Sequence, residues 1–481
     1  MTLATILFAL SILSVPGDFP QIQQAINAAS DGDRIEVSPG TYVGSLSIDK
    51  GIYLVATEFD ANDPRNNQTI IDGNGSSIVI NIEPDIVTPI HIIGFQIRNG
   101  SSDGIQPRSP FLLQYSYLTD AGDLIDYERG SGGFCLNNVF EYAGDDAIDL
   151  DNSVVDLVIE GNLILYSDED GIEIRLQDDE ILEKAVITIK NNVIAQNGSD
   201  GVQIIDYDDL TNRLFLIHDN VFLNNIDASI GFMDKQDSSE DFRAASVLEE
   251  VRIYNNTFVG GNHGISGGDN ALVVNNILSG QSVSLKNIDG DSLLGYNLVH
   301  EGIVLGTILD ETHSFTDPQL RTADCGLEEN SPAIDSGIQT FGPITVTSYT
   351  GVAPDLGWLE ENENSFALLN CISGNTEPPP PPPSDPPAEL TIDSITPSIW
   401  PKGETFFVSV LGSEIQGNVQ IQLDGPSGPD PDVEIFMVAN TEIILRVSVK
   451  SGGKPKPRSY SLTFTNPDGG SVTLNNAVTI Q

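Results

Sequence analysis

Thirteen residues, EYAGDDAIDLDNS at 141 to 153, place Asp145, Asp146, Asp149 and Asp151 within seven positions and thread Ala147, Ile148 and Leu150 between them. Like charges so close repel unless something screens them, and hard oxygen ligands at this density suit Ca2+. The apolar residues between them want burial. A β-strand satisfies both demands, because successive side chains point to opposite faces. Similar turns recur at SSDGIQPR (101–108), AGDLIDYE (121–128), DEDGIEIR (168–175) and GSDGVQII (198–205). Aligned with Ile105, Ile148, Ile172 and Val202 inward, one outward column reads Gln106, Asp126, Asp149, Glu173 and Gln203. Its neighbour reads Arg108, Glu128, Asp151, Arg175 and Ile205. Strands stacked about 4.8 Å apart would bring Asp126, Glu128, Asp149, Asp151 and Glu173 within about 10 Å, as candidate ligands for Ca2+.

Such stacking needs a repeat, and the chain has one. CLNNVF (135–140), VIEGNLI (158–164), TIKNNVI (188–194), LIHDNVF (216–222), RIYNNTF (252–258), VVNNIL (273–278) and LGYNLV (294–299) align on an Asn that closes an apolar run, at intervals of about 20 to 36 residues. Each unit is too short to hold a core alone and has no helical period between its strands, so units must stack. The expected fold class is all-β, a right-handed parallel β-helix. Asn138, Asn162, Asn192, Asn220, Asn256, Asn276 and Asn297 would form an inward amide ladder, with Asn also tolerating the left-handed turn. Cys135 aligns with Ile159, Ile189, Ile217 and Ile253 and is expected to be a buried, inert thiol. PQIQQAINAAS (20–30) has the spacing of a short amphipathic helix that would plug the first coil.

Composition bounds the function. The 481 residues carry 70 acidic and 21 basic side chains, a formal charge of −49, which excludes the basic stripe of a nucleic-acid binder and disfavours an anionic membrane surface. Residues 388–481 hold 10 acidic and 6 basic residues, leaving 60 and 15 to the rest. The first part is the cation-facing one, and its acidity suits a saline medium. Residues 1–14 (MTLATILFALSILS) are apolar, too short to span a bilayer, and placed as a secretory segment would be, although no Lys or Arg precedes them. The plainer alternative is a buried N-terminal segment, and no other stretch suits a membrane span. Three cysteines make no disulfide framework; Cys325 and Cys371 are candidates to pair.

PPPPPPSDPP (378–387) is a stiff spacer. The expected domains are a possible signal or apolar segment (1–14), a β-helix with its helical cap (15–372), a Pro-rich linker (373–388) and a β-sandwich (389–481).

VPGDFPQIQQAINAASDGDRIEVSPGTY (15–42), KGIYLVATEF and TIIDGNG resemble the opening of secreted pectin-lyase-like β-helix proteins. DPQL (317–320), SPAIDSG (331–337) and APDLGWLE (353–360) resemble their ending. LTIDSITPSIWPKGETFFVSVLGSEI and YSLTFTNPDGGSVTLNNAVTI alternate as strands and resemble an IPT/TIG immunoglobulin-like sandwich, with Ile399 and Trp400 where that class usually has small residues. These resemblances imply secretion or surface display, a polysaccharide or cell-surface partner, and a spacer or adhesive C-terminal module. In the calcium-dependent lyases of the superfamily a similar face binds calcium, which neutralises a uronate. Asp126, Asp149 and Glu173 would then be ligands and Arg175 the basic partner in β-elimination, with Lys184 as a second candidate.

A solvated or structurally calcium-loaded surface outweighs that catalytic reading, since a chain this acidic shows carboxylate ladders anywhere and Arg175 can pair with Glu173 or Asp151. GDDAI, SSDGI and GNHGISGG (261–268) resemble polygalacturonase motifs, but Asp146 and His263 stand about four or five coils, roughly 20 Å, apart, beyond the ~6.5–9.5 Å of an inverting pair. His263 is therefore expected in a loop. Two functions remain: calcium-dependent binding, with or without lyase cleavage, of an extracellular polysaccharide; or a noncatalytic filament or adhesive component that self-associates through its C-terminal domain.

Overall fold

The structure, a computed structural model, describes residues 11–150, 154–177, 184–207, 211–235, 247–322 and 324–358. It also describes 390–480 apart from 404, 414, 416–418, 427–429, 439–441, 451–456 and 467–469. The chain divides into two compact units, with the boundary after Thr376; the Pro-rich linker at 373–388 lies outside the described residues.

The first unit is a parallel β-helix. Twelve parallel strands form its first sheet, from Ile12–Val15 through Cys135's strand Gly133–Leu136 to Leu293–Gly295. A second series of short strands follows the Asn turns, such as Val139–Glu141, Leu163–Leu165 and Val193–Ala195. A third series follows the Asp-Gly turns: Asp123–Asp126, Ile148–Leu150, Ile172–Arg175, Val202–Asp206 and onward to Ile303–Leu305. Near the start, Thr69–Ile82 and Gln96–Pro107 are long enough to bend and serve both series. β-Branched residues dominate because each inward side chain must fill a pleat beneath its counterpart one coil away.

The strand Ile12–Val15 pairs with Arg34–Val37, so the end of the apolar N-terminal stretch belongs to the solenoid; residues 1–10 lie outside the described ones. The helix Ile22–Ala28 buries Ile22, Ala25 and Ile26 against the first coils, as a cap must.

The amide ladder forms. Nδ2 of Asn162 donates to Oδ1 of Asn192 at 3.0 Å, and Asn192, Asn220, Asn256 and Asn276 repeat the contact to the next Asn at 3.0 Å. Each Oδ1 also takes the backbone N–H of the previous coil's Asn, so buried amides are satisfied at both ends. The left-handed residue is one place earlier than expected: Asn137, Asn191, Asp219, Asn255 and Asn275 have φ near +55, between 53 and 57. The ladder Asn itself stays in register to bond. Cys135 is buried and free in the aliphatic stack, and burial pushes its thiol up to about 12.

Beyond the last coil the chain doubles back as a strap. Trp358 N–H donates to Thr257 Oγ1 at 3.1 Å, and Ile338 N–H to Asn275 Oδ1 at 2.9 Å. Trp358 and Cys325 pack on Val193, Ala195, Val221 and Leu223, the outer face of the second sheet. That face is apolar because it is covered. Cys325 is disulfide-bonded; Cys371, expected as its partner, lies outside the described residues.

The second unit is a sandwich of two four-stranded sheets. One holds Thr391–Thr396, Thr405–Ser413, Glu442–Ser448 and Asp432–Val438; the other holds Ile399–Trp400, Ser471–Ile480, Arg458–Thr465 and Gln420–Asp424. Trp400, Val408, Leu445, Tyr460 and Phe464 form its core.

Candidate metal centre

The third sheet sets the register of the acidic column. Asp126 pairs with Asp149, Asp149 with Glu173, and Glu173 with Gln203, while Ile125, Ile148, Ile172 and Val202 fill the interior. Gln106 heads the column and donates Nε2 to Asp126 Oδ2 at 2.8 Å. These side chains point away from the core yet are buried: Asp149 is 4% exposed and Glu173 7%. The reason lies in the neighbouring column. Arg175 folds back across it, with Nη1 at 3.1 Å from Asp149 Oδ2 and Nη2 on Glu173 Oε1, and Arg108 bonds Gln106 at 2.6 Å. Arg175 thus roofs the carboxylates, and Arg108 holds the amide that heads the column.

A second acidic column runs beside the first, three residues earlier in each coil. Asp123 Oδ1 accepts the backbone N–H of Asp146 at 3.1 Å, Asp146 Oδ1 that of Asp170 at 2.7 Å, and Asp170 Oδ1 that of Asp200 at 2.6 Å. Asp200 Oδ1 closes the series on Ala228 N–H at 2.6 Å. A short carboxylate at the corner bonds the next coil much as the Asn ladder does, and the charged acceptor strengthens the bond. The Gly after it is steric: a Cβ at Gly171 would lie 2.7 Å from Gly201 O and 2.8 Å from Asn197 Nδ2. Ala147 occupies the same place one coil earlier, where the amide's counterpart is Ser167. Asn197 belongs to a second, shorter amide ladder, donating to Asn225 Oδ1 at 2.9 Å.

Carboxylate oxygens converge where the columns meet. Asp123, Asp146 and Asp149 bring one oxygen each within 4.8 Å of one another, as do Asp146, Asp170 and Glu173, and also Asp145, Asp146 and Glu169. Asp146 is common to all three groups and is itself 3% exposed, whereas Asp145 and Glu169 face solvent. Burial first, and then Asp170 and Glu173, push the Asp146 carboxyl up to about 11. Burial likewise raises Asp123 to about 7, with Asp145 and Asp103 adding to it. Glu169 is raised by burial and by Asp145. Oxygens on opposite sides of Ca2+ stand about 4.6–5.2 Å apart, so oxygens this close are spaced as ligands of a shared cation would be.

Of the five ligands expected from sequence, Asp149 and Glu173 enter these groups, and Asp126 stands one coil below Asp149. Glu128 is half-buried and belongs to none among the described residues, and Asp151 lies outside them. Arg175 is held by Asp149 and Glu173; Lys184 is exposed at the start of the strand Ala185–Lys190, in the first sheet. Asp123, Asp145, Asp146, Glu169 and Asp170 complete the centre. For Asp123, Asp146 and Asp170 the signal was the Asp of each Asp-Gly-type turn, and Asp145 and Glu169 stand one place before it. His263 is no loop residue: it opens the strand His263–Ser266, buried, in the column of the turn aspartates, because Ala228 pairs with it directly.

No protein-family model matches the chain, and no curated protein matches it. Among solved structures, the crystal structure of alginate lyase from Paenibacillus sp. str. FPU-7 aligns with a TM-score of 0.23 and 12% identity, covering 64% of this chain and 98% of that one. The β-helix is defined by this chain's own strand pairing.

Proposed function

We propose that the chain is a secreted or cell-surface β-helix protein that binds an extracellular polysaccharide through a cation-loaded acidic face. The convergence of three carboxylate groups on Asp146 carries the cation part. Uncompensated, so many buried carboxylates hold protons or strain the fold, and Ca2+ would replace both costs with ligation. Asp146, Asp149, Asp170 and Glu173 would hold the ion at depth, with Asp145 and Glu169 at the solvent side. A bound cation supplies the positive charge that an acidic sugar needs on a chain of net charge −49. The disulfide-bonded Cys325 supports an oxidising compartment.

Binding is favoured over cleavage by one contact. The Arg175 guanidinium is engaged by Asp149 and Glu173, and a group so paired, with a side chain that stays protonated, is a poor base for a ring proton. A noncatalytic structural or adhesive role, with the second unit docking onto a neighbour, rests on the two-unit organisation alone.

Calorimetric titration of chelator-treated protein with Ca2+, followed by binding and product assays on pectate, alginate and glycosaminoglycans, tests the reading. Calcium binding with glycan retention and no unsaturated product is expected. A protein that takes up no calcium would sink it, and ultraviolet-absorbing product lost in Arg175→Ala would move the conclusion to a lyase.

A further inference from the structure

The corner between the second and third series holds a left-handed residue in each coil: Asn99 (φ 60), Asp120 (φ 55), Tyr142 (φ 60), Tyr166 (φ 57), Gln196 (φ 56), Asn224 (φ 52), then Gly260, Gly280 and Glu301 (φ 58). Turn chemistry explains Asn and Gly there, and not tyrosine. The two tyrosines stack on one another, centroids 5.4 Å apart and planes at 12°, and belong to none of the hydrophobic clusters. Tyr142 is 41% exposed.

The surroundings of Tyr142 are polar and fixed. Glu141 beside it accepts from Arg65 Nη1 at 3.1 Å and from the Tyr117 hydroxyl at 3.2 Å, and Arg65 is tied in turn to Asp63 at 2.8 Å. Aromatic rings presented in this way, with a rigid hydrogen-bonding rim, suit the C–H face of a pyranose better than a flat apolar partner. Three residues after each ring comes an exposed carboxylate of the candidate cation centre, Asp145 and Glu169, so chain length keeps the Cα atoms of each pair within about 11 Å. Two linked pyranoses span such a reach.

The geometry points to the Tyr142–Tyr166 stack, through an outer ring face, as the stacking site for one pyranose of an acidic polysaccharide, whose neighbouring uronate reaches the cation beside Asp145 and Glu169. This deepens, and rests on, the polysaccharide-binding reading above. The backbone offers an unusually clean control, because Gly is the native residue in the same column at 260 and 280 and is at ease at positive φ.

The experiment compares wild type, the double variant Tyr142→Gly/Tyr166→Gly and the double variant Tyr142→Phe/Tyr166→Phe. Each is run in native gels cast with polygalacturonate, alginate or dextran, in calcium or in EDTA, with calcium titration and melting temperature alongside. In calcium the Gly variant should bind the acidic glycans about tenfold or more weakly, the Phe variant as wild type does, with calcium affinity unchanged in both. Wild-type retention that survives in the Gly variant would overturn the platform and leave the polysaccharide-binding reading standing. Equal retention in EDTA would overturn the coupling to the cation. Calcium uptake without retention by any acidic glycan would overturn both readings.

Discussion

Replacing Asp146 with Asn removes one charge, and almost no volume, where the three carboxylate groups meet. An Asn Oδ1 can still accept the Asp170 N–H that Asp146 takes at 2.7 Å, and its Nδ2 becomes a donor toward Asp149 and Glu173. The carboxyl that it replaces is pushed up from 3.8 to about 11. Between those values the native, cation-free protein holds a proton that the unfolded chain has released. Stability therefore falls as pH rises through that window, and is fully recovered only below pH 3.8. At pH 7 the cost is ~1.4 kcal/mol for each of about 3 pH units, or about 4 kcal/mol as an upper limit. Asp146→Asn should thus make the protein in EDTA more stable at pH 7, by up to that amount, with the gain shrinking toward pH 4. It should also lose most of the calcium-dependent stabilisation, which for a wild type that binds calcium as proposed would be about 2.7 kcal/mol at a hundredfold excess over Kd. Guanidinium unfolding of the full chain, following the calcium-sensitive transition at both pH values with calcium and with EDTA, measures each quantity. A variant less stable than wild type in EDTA at pH 7, a gain independent of pH, or an undiminished calcium shift would refute the reasoning.

Two further outcomes follow from other contacts. Arg175→Ala leaves Asp149 and Glu173 without the cation that roofs them, so the EDTA form should lose about 3 kcal/mol, and calcium should restore most of it, as paired unfolding curves would show. Asn192→Ala removes donors to Asn220 Oδ1 and Ile159 O and the acceptor used twice by Asn162, a loss of about 4 kcal/mol at ~1 kcal/mol per bond, and hydrogen exchange should show the Asn162 N–H deprotected.

The repeat made the fold legible. An apolar run closed by Asn, returning with its flanking pattern intact, admits little besides a stack of parallel coils, and the side-chain period of two then fixes which residues of a turn face out. Hence Gln106, Asp126, Asp149, Glu173 and Gln203 could be aligned in the register that the strands adopt. The helical plug at 22–28, the amide ladder and the buried Cys135 were legible for the same reason, since each depends only on position within a coil.

What the sequence left open depends on side chains from different coils meeting in space. Burial of the acidic face arises because Arg175 turns back over it, with Arg108 on the amide that heads the column, and nothing in a strand pattern says which way a long side chain lies. Convergence on Asp146 arises because the corner sets the turn aspartates beside the column three residues later, so that oxygens from adjacent coils come within 4.8 Å in each group. Covering of the second sheet's outer face needs Trp358 to return to Thr257, 101 residues earlier in the chain. Local periodicity determines the coil and the facing of each residue; contacts between coils, and between the solenoid and its strap, decide which of those residues become a site, because charge and burial act through space and not along the chain.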